Sequence, residues 1–386
     1  MDIYRPGNCK AFSWINVNLR ALQRNYRIWS TFVAPAVCTA VVKANAYGLG
    51  AGPIGQALFD VGCRHFFVAY IDEALLLLEA LREKGASPAA IPGARHFCLY
   101  ILDGPFLGDW CEDVENMKCI PVLNSLAHVD AWNAFAAQRQ QKLPAVLHID
   151  TGLRRLGLPP DEYVRLKEKI HEGALKAIDW LFWMSHPAAS SLPNHEANAI
   201  QLERVLKIRE DFPHIPFSYA DTDAVLLGKA THFQMVRIGI GHYGLETTPL
   251  DLHNCLTVGS SILQIQDIGP NQGIGYDWDY FTSSPRRIAT LACGYADGIA
   301  RDKNPGVLKF VLHGHKVPVL GRISMDLCVV DVTDIPEANV GDVVEILGPN
   351  ATVADFSAAS GIQPHRILTG FGNRPQRFFS EDDELC

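Results

Sequence analysis

Short apolar runs recur through the first 240 residues of the chain. Each is four or five residues long, is rich in Val, Ile, Leu and Phe, and lacks polar alternation. Strands that are buried on both faces of a parallel sheet show this pattern. The runs lie at 38–42, 65–69, 97–101, 119–123, 145–149, 180–184, 217–220 and 235–238. Segments with helical spacing lie between them, and the clearest predicted helices are 71–84, 159–172 and 195–211.

The order of these elements predicts the fold of the first part of the chain. Eight strands that alternate with helices over about 240 residues match an N-terminal (β/α)8 TIM-type barrel. A doubly wound open sheet is the alternative. We place the barrel at 12–245.

The pattern changes after Gly244. Predicted strands at 257–268, 287–292, 306–312, 316–320, 327–332 and 343–347 are separated by Gly, Pro, Asn and Asp, with few helical segments between them. We therefore expect a mostly β C-terminal domain over 246–386, which residues 1–11 also join.

Composition excludes several classes of protein. A chain of 386 residues with 48% hydrophobic and 20% charged residues can form two domains with large cores, which excludes disorder. Lys and Arg number 34 against 42 Asp and Glu, a net charge of −8 without a basic run, so nucleic acid and anionic membranes are poor partners. The N-terminus lacks the apolar segment of a signal peptide, and no apolar stretch reaches about 18 residues. These observations predict a cytoplasmic protein.

Ten cysteines are present, and none of them forms a CxxC pair. Several fall inside the apolar runs, where a thiol acts as a small hydrophobic group. We expect buried thiols rather than disulfides or a metal site.

Candidate chemistry begins at the end of the first barrel strand, in VVKANAYGLG at 41–50. Active sites of barrel enzymes lie at the carboxyl ends of strands. Lys43 there is either a surface residue or an amine held in a pocket, where a desolvated lysine suits Schiff-base chemistry. The glycines of VRIGIGHYGL at 236–245, together with Thr222 after the seventh strand, fit the usual phosphate site of a barrel. A lysine combined with a phosphate site predicts a pocket for pyridoxal phosphate, PLP.

Three further segments contain candidate residues. HIDTGLRRLG at 148–157 has two arginines after the fifth strand, of which only one need enter the site. His186 follows the sixth strand and either has a structural role or stacks on a cofactor ring. Tyr295, in CGYADGIAR at 293–301, either packs or acts as an acid/base group if its pKa falls well below about 10.

These segments and GRISMD at 321–326 resemble the motifs of the alanine racemase family, in that family's order and spacing. The resemblance covers nearly the whole chain and implies a PLP enzyme built from a barrel and a β domain. By this resemblance, Lys43 would carry PLP and serve as one of two bases. Tyr295 would be the second base, and it would reach the site of a neighbouring subunit in a homodimer. The substrate would be a small amino acid, and no metal is implied.

The resemblance also implies the remaining binding roles. Arg155 would bind the phenolic oxygen of the cofactor and the substrate carboxylate, and Met325 would add a backbone contact to that carboxylate. Arg237 would face the pyridine nitrogen, and His186 would pack near the ring. The phosphate would be held by Tyr47, Thr222 and the backbone of Gly239 and Ile240.

Three positions depart from the family pattern. His148 stands where the family commonly has a lysine, modified to a carbamate that orients the substrate-binding arginine, and histidine cannot form that stable carbamate. Asp221 stands where the family usually has Asn, which places a carboxylate near the phosphate. Asn373 falls where some members have a tyrosine.

Several readings stay open beside alanine racemisation. A racemase of serine or of broader specificity differs only in pocket size, which is worth little discrimination. A fold-related PLP decarboxylase would be expected to carry an acid at the pyridine nitrogen, where this chain has Arg237. A non-catalytic PLP carrier would leave the β domain and Tyr295 without a role, and a purely structural protein would not explain the polar residues that follow the barrel strands. The biological role would be D-alanine supply for peptidoglycan or alanine catabolism.

Overall fold

The computed structural model describes residues 11–104, 106–245, 248–300 and 306–381. The chain divides into two compact units. The barrel unit comprises Tyr26–Ala46 and Ala51–His242, and the β unit comprises the described parts of Met1–Asn25, Tyr47–Gly50 and Tyr243–Cys386. The predicted boundaries at 12–245 and 246–386 stay predictions.

The strands of both units are numbered in chain order. They are β1 Ser13–Asn18, β2 Val37–Val41, β3 His65–Val68, β4 Ser87–Pro88, β5 His96–Ile101, β6 Ile120–Leu123, β7 Leu143–His148, β8 Ile178–Met184, β9 Phe217–Ser218, β10 Met235–Ile238, β11 Leu256–Ile268, β12 Gly273–Ile274, β13 Tyr280–Phe281, β14 Arg286–Leu291, β15 Lys309–Leu312, β16 His315–Leu320, β17 Cys328–Asp331, β18 Val343–Leu347 and β19 Gln376–Ser380.

The helices are numbered in the same way. They are α1 Leu19–Val33, α2 Lys43–Tyr47, α3 Ala51–Asp60, α4 Ile71–Glu83, α5 Asp109–Asn116, α6 Leu126–Gln138, α7 Pro160–His171, α8 Glu196–Asp211, α9 Thr222–Leu226, α10 Val353–Ser360 and α11 Pro364–Gly370. No helix of the described residues combines the length and the apolar composition needed to cross a bilayer.

The barrel unit contains a closed parallel sheet. Its eight strands among the described residues follow the order β2, β3, β5, β6, β7, β8, β9 and β10, and β10 pairs with β2 to close the ring. These are the eight runs that the hydrophobic pattern predicted, so the TIM-type barrel is confirmed and the open sheet is not. The barrel interior is filled by large side chains such as Phe67, Tyr100, Phe182 and Met184.

The helices around the barrel show why the sequence pattern was informative. In α4 each buried side chain lies three or four residues from another one, and the buried residues are Ile71, Ala74, Leu77, Leu78 and Leu81. This spacing gives one apolar face that packs against the barrel. The acidic residues in the first turn interact favourably with the positive end of the helix dipole. The three predicted helices match α4, α7 and α8 to within one residue at each end.

The β unit is built on a mostly antiparallel sheet. Its order is β14, β17, β16, β15, β18, β11, β1 and β19, with a further pairing of β14 to β11 that closes six of these strands into a ring. Strand β11 is 13 residues long, so its first half pairs with β1 and β18 and its second half with β14. The six strands predicted after Gly244 are present.

Strand β1 lies near the start of the described residues, and its partners lie far along the chain. Residues Ser13–Asn18 pair with β11 in antiparallel register and with β19 in parallel register, so this strand belongs to the β unit. The sequence did not predict β19, α10 or α11. A strand of five or six residues whose partners lie more than 200 positions away carries no local signal of the sheet it joins.

We expect replacement of Phe67 by Ala to lower the free energy of unfolding by about 3 to 5 kcal/mol. The side chain is fully buried in the barrel and stacks on Tyr100 with ring centroids 4.5 Å apart, so its removal leaves a cavity. Urea unfolding of the two proteins provides the measurement. Leu76→Ala, at a 61% exposed position on α4, is the control and should change stability by less than about 0.5 kcal/mol. Equal effects of the two substitutions would contradict the assignment of Phe67 to the core.

Candidate active site

Lys43 directly follows the first barrel strand and begins a turn of unusual handedness. Ala44, Asn45 and Ala46 have φ values of 51°, 54° and 53°, and Tyr47 has φ 59°. These residues form a left-handed helical turn, which costs about 1 to 2 kcal/mol per residue that carries a side chain. The turn is a structural feature that the sequence did not predict.

Specific hydrogen bonds hold this turn. The Ala44 amide donates to Glu73 Oε1 at 2.7 Å, and the other oxygen of Glu73 accepts from the Ala69 amide at 2.7 Å. The side chain of Asn45 accepts from the Ala51 amide at 2.8 Å. Glu73 on α4 and Asn45 therefore fix the backbone that carries Lys43.

The Lys43 amine is largely buried and lies in a cationic environment. Burial lowers its pKa, and the charges of Arg155 and Arg237 lower it further, while the carboxylates of Asp103 and Glu73 oppose the shift. A lowered pKa increases the fraction of neutral amine at neutral pH. The neutral amine is the form that attacks a carbonyl or accepts a proton.

Arg237 on β10 is buried in the barrel, with 4% of its surface exposed. Its guanidinium donates to Ser218 Oγ at 2.6 Å, to the Ser185 carbonyl at 2.7 Å and to the Tyr219 carbonyl at 3.0 Å. Burial lowers the pKa of Arg237 to about 10, against the effect of the Asp221 carboxylate. The group is therefore a fixed cation at neutral pH.

His186 follows β8 and lies beside this cation. Its Nδ1 is 3.4 Å from Nη2 of Arg237, and since the guanidinium can only donate, Nδ1 accepts. Burial lowers the pKa of His186 well below its usual value, and Arg237 and Arg155 add to this effect. The imidazole is therefore neutral, with its proton on Nε2.

Thr222 and the turn after β10 form a group of backbone donors. The amides of Gly239 and Gly241 donate to Thr222 Oγ1 at 3.2 Å and 3.4 Å, with Ile240 buried between them. A Cβ atom at Gly241 would lie 2.6 Å from Thr222 Cγ2, so only glycine fits there. Because the hydroxyl oxygen accepts from two amides, its own proton is available to an anion. Gly241 is one of the glycines that the sequence pattern at 236–245 singled out.

Asp221 caps the short helix that begins at Thr222. Its Oδ1 accepts from the Ala224 amide at 2.9 Å, and its Oδ2 accepts from Ser190 Oγ at 3.2 Å. Oδ2 of Asp221 lies 3.8 Å from Nε2 of His186. Because the imidazole is neutral, the two side chains form no ion pair. The aspartate thus has a capping role that an asparagine can also fill.

The two arginines after β7 have different surroundings. Arg154 pairs with Asp150 at 3.2 Å and is bound at the surface. Arg155 makes no hydrogen bond or ion pair with any residue that the structure describes. It lies close enough to act electrostatically on Lys43, His148 and His186. Of the pair, Arg155 is the arginine available to an anionic ligand.

His148, at the end of β7, is buried, and its Nδ1 lies 2.8 Å from Oδ1 of Asn124. Burial lowers the pKa of His148 to about 3, and Arg237 and Arg155 add to this effect. Asn124 was not among the predicted site residues. It directly follows the predicted strand 119–123, and a polar residue at that position of a strand is the signal that identified the other site residues.

Tyr295 and Met325 lie on two turns of the β unit. The Tyr295 amide donates to the Ser324 carbonyl at 3.0 Å, and the Ala296 amide donates to the Met325 carbonyl at 2.9 Å. The side chains of Tyr295 and Met325 are 56% and 54% exposed. The two turns form one rigid element that presents both side chains to solvent.

Arg374 joins the same two turns. Its Nε lies 3.2 Å from Oδ1 of Asp297 and its Nη1 lies 2.6 Å from Oδ1 of Asp326. Asp297 is buried and its Oδ2 also accepts from the Gly294 amide at 2.9 Å. The neighbouring Asn373 is exposed, and nothing in the structure assigns it a role.

Tyr47 packs within the β unit. Its ring lies 5.9 Å from that of Tyr243 and 5.7 Å from that of His365, centroid to centroid. Its role in phosphate binding stays a prediction. The barrel residues that the sequence analysis grouped, in contrast, lie within electrostatic range of one another: Lys43, His148, Arg155, His186 and Arg237.

The fold and this arrangement define a class of barrel protein in which a lysine follows the first barrel strand, and a threonine and a glycine-rich turn follow the last two. The family model for the alanine racemase N-terminal domain matches residues 17–247, and the model for the C-terminal domain matches residues 255–379. The chain therefore belongs to the alanine racemase family.

Individual relatives agree with this assignment. The chain is 36% identical over 386 residues to alanine racemase from Brucella suis, covering 95% of this chain and 93% of the relative. It is 35% identical over 371 residues to the catabolic alanine racemase of Agrobacterium fabrum, covering 95% and 91%. A crystal structure of alanine racemase from Bartonella henselae with covalently bound pyridoxal phosphate matches with a TM-score of 0.85 and 33% identity, covering 96% of this chain and 100% of that one.

We expect Glu73→Gln to lower the pKa of the Lys43 amine further, because the carboxylate raises it in the wild type. The protein is first freed of any aldehyde bound to the amine. The rate at which acetic anhydride acetylates Lys43 is then measured by mass spectrometry as a function of pH, and the pKa is taken from that profile. Glu79→Gln, at an exposed position of the same helix, is the matched control and should leave the profile unchanged. A higher or unchanged pKa in Glu73→Gln would show that Glu73 does not act on this amine.

Proposed function

We propose that this protein is a PLP-dependent alanine racemase, which interconverts L-alanine and D-alanine. The observation that carries the proposal is the Lys43 amine of lowered pKa, which shares its pocket with the buried Arg237 cation. Membership of the family and the PLP-bound structure of a relative support the same activity.

The residues of the barrel fit this cofactor. PLP carries an aldehyde, a phosphate and a phenolic oxygen, and it supplies an electron sink for the substrate's Cα–H bond when bound. The pocket offers Lys43 for the aldehyde. It offers Arg155, which has no anionic partner among the described residues, for the phenolic oxygen. The hydroxyl of Thr222, whose oxygen accepts from the amides of Gly239 and Gly241, offers a donor for the phosphate. We infer that these residues, with Tyr47 and Ile240, hold it.

Arg237 determines what this site cannot do. A guanidinium has no lone pair to accept a hydrogen bond and stays protonated, so it disfavours a proton on the pyridine nitrogen that we expect it to face. We infer that this limits charge delocalisation and suppresses transamination. It also argues against the decarboxylase reading, which needs an acid at this position.

Two residues would handle the Cα proton. Racemisation removes the proton from one face and returns it to the other, and a single base would tend to restore the same enantiomer. We infer that Lys43 serves one face and Tyr295 the other. Each is polar and able to hold a proton, and the cations around Lys43 favour the neutral amine that accepts one. Arg155 would bind the substrate carboxylate, with a backbone contact from Met325.

We further propose that Tyr295 acts in the site of a second subunit, which makes the enzyme a homodimer with composite sites. The proposal is supported by the exposure of Tyr295 and Met325 on one rigid element of the β unit. A cytoplasmic location is a separate proposal. It is supported by the eight described cysteines, which are all buried and free, including Cys293 and Cys328 with sulfurs 3.7 Å apart.

The activity is tested by chiral chromatography of the products after incubation of the holoenzyme with single L-amino acids. We expect D-alanine to be the main product and both enantiomers of alanine to reach an equal mixture from either side. D-serine as the main product would indicate a serine racemase, and a mixture of D-amino acids would indicate a racemase of broader specificity. The absence of any D-amino acid from PLP-loaded protein would overturn the function.

The composite site is tested by mixing two inactive chains, Lys43→Ala and Tyr295→Phe, so that mixed dimers form. If Tyr295 serves the partner's site, each mixed dimer regains one intact site. About half of the dimers are mixed, so about a quarter of wild-type activity should return. If both residues act within one chain, every site retains a defect and the mixture stays inactive, which would refute the composite arrangement. Tyr276→Phe, at another exposed tyrosine of the β unit, mixed with wild type is the control for exchange between subunits.

A further inference from the structure

Asn124 and His148 form a hydrogen-bonded pair that the racemase chemistry described above does not use. Asn124 follows β6 and His148 ends β7, and both side chains are buried, with 5% and 7% exposed. His148 Nδ1 lies 2.8 Å from Asn124 Oδ1. A pair of buried polar side chains at this end of the barrel costs stability unless its hydrogen bonds are made.

The surroundings of Asn124 fix which atom donates. Its Nδ2 donates to the carbonyls of Leu102 at 2.8 Å and of Val122 at 2.9 Å. The amide nitrogen must face these two acceptors, so Oδ1 faces the histidine. An amide oxygen only accepts, and therefore His148 carries a proton on Nδ1.

The charged groups that act on the ring keep it neutral. Burial lowers the pKa of His148, and the charges of Arg237 and Arg155 lower it further. The carboxylate of Asp150 acts in the opposite direction. With one proton on the ring and that proton on Nδ1, Nε2 holds a lone pair. No described residue donates a hydrogen bond to it.

The edge of the ring that contains Nε2 faces the loop of Arg155. A Cβ on Gly157 would lie 3.2 Å from His148 Cδ2, the atom bonded to Nε2. The loop returns to the strand at the same point, since the Leu158 amide donates to the His148 carbonyl at 2.8 Å. Arg155 lies in this loop and has no partner among the described residues.

We propose that the Asn124–His148 pair positions Arg155 for the substrate carboxylate. Nε2 of His148 is the acceptor to which the guanidinium, unpaired among the described residues, would donate in the holoenzyme. Asn124 and His148 are positioning residues, because they act through Arg155. An uncharged acceptor orients the guanidinium without neutralising it, so its whole charge remains for the carboxylate. This inference rests on the proposed function, since it assumes that Arg155 binds that group.

The tautomer is tested without reference to activity. Nitrogen-15 NMR of the holoenzyme with labelled histidine distinguishes a protonated Nδ1 from a protonated Nε2 and from an imidazolium. We expect the His148 signals, assigned by their loss in His148→Leu, to show a proton on Nδ1 alone across neutral pH. A proton on Nε2, or on both nitrogens, would overturn the proposal.

Binding tests the effect on Arg155. Propionate has a carboxylate but no amino group to react with the cofactor, so its dissociation constant reports the carboxylate site. We expect His148→Leu to weaken propionate binding and to raise KM for alanine by about tenfold each, with a smaller change in kcat. His148→Gln retains an acceptor oxygen and should recover much of the affinity. His214→Leu, at an exposed histidine, is the control.

A second variant keeps the pair but changes its charge. In Asn124→Asp, a carboxylate faces Nδ1 and should raise the pKa of His148, so that the ring becomes a cation at low pH and repels Arg155. KM should then be high at low pH and approach the wild-type value as pH rises. A flat KM profile in Asn124→Asp, or unchanged propionate binding in His148→Leu, would contradict the proposal while wild-type racemisation stands. Failure of the proposed function would instead appear as a wild-type protein that forms no D-alanine.

Discussion

The buried guanidinium of Arg237 is the constraint on which the rest of the pocket depends. It donates hydrogen bonds to Ser218, Ser185 and Tyr219 at the ends of neighbouring strands, so its charge has a fixed position inside the barrel. That charge lowers the pKa of Lys43, His148 and His186 in addition to the effect of burial. One cation thus favours the neutral form of an amine and helps to keep two imidazoles uncharged.

A second constraint is the left-handed turn after Lys43. Four residues with side chains adopt positive φ there, at a cost that the hydrogen bonds of Glu73 and Asn45 help to offset. Such a conformation persists only where the surrounding structure determines it. We infer that the turn fixes the backbone of Lys43, because the next amide, that of Ala44, is held by Glu73.

Much of the fold could be predicted because the barrel strands are buried on both faces. That burial produces apolar runs that are visible without any partner, and polar residues at the end of a run then identify Lys43, His186 and Thr222. Strand β1 could not be assigned in this way, since its register with β11 and β19 depends on residues far along the chain.

The remaining site features depend on contacts that one sequence does not show. Ala44, Ala46 and Tyr47 do not favour positive φ, and one asparagine, Asn45, does not by itself indicate a left-handed turn of four residues. Glu73 is one acidic residue among several on an amphipathic helix, and its contact with the Ala44 amide is formed only in the fold. The sequence shows His148 as a departure from the family pattern. Its hydrogen bond with Asn124 is formed only when β6 pairs with β7, so the sequence alone does not show it.

The central claim is that Lys43 and Tyr295 act on opposite faces of Cα, and deuterium exchange tests it most directly. Tyr295→Phe holoenzyme is incubated in deuterated water with L-alanine and, separately, with D-alanine. The account predicts that exchange of the Cα proton continues for one enantiomer, while it is lost for the other and interconversion falls at least about a hundredfold. Tyr276→Phe should behave as the wild type. Equal loss of exchange from both enantiomers, or racemisation that persists without the phenol, would contradict the two-base account.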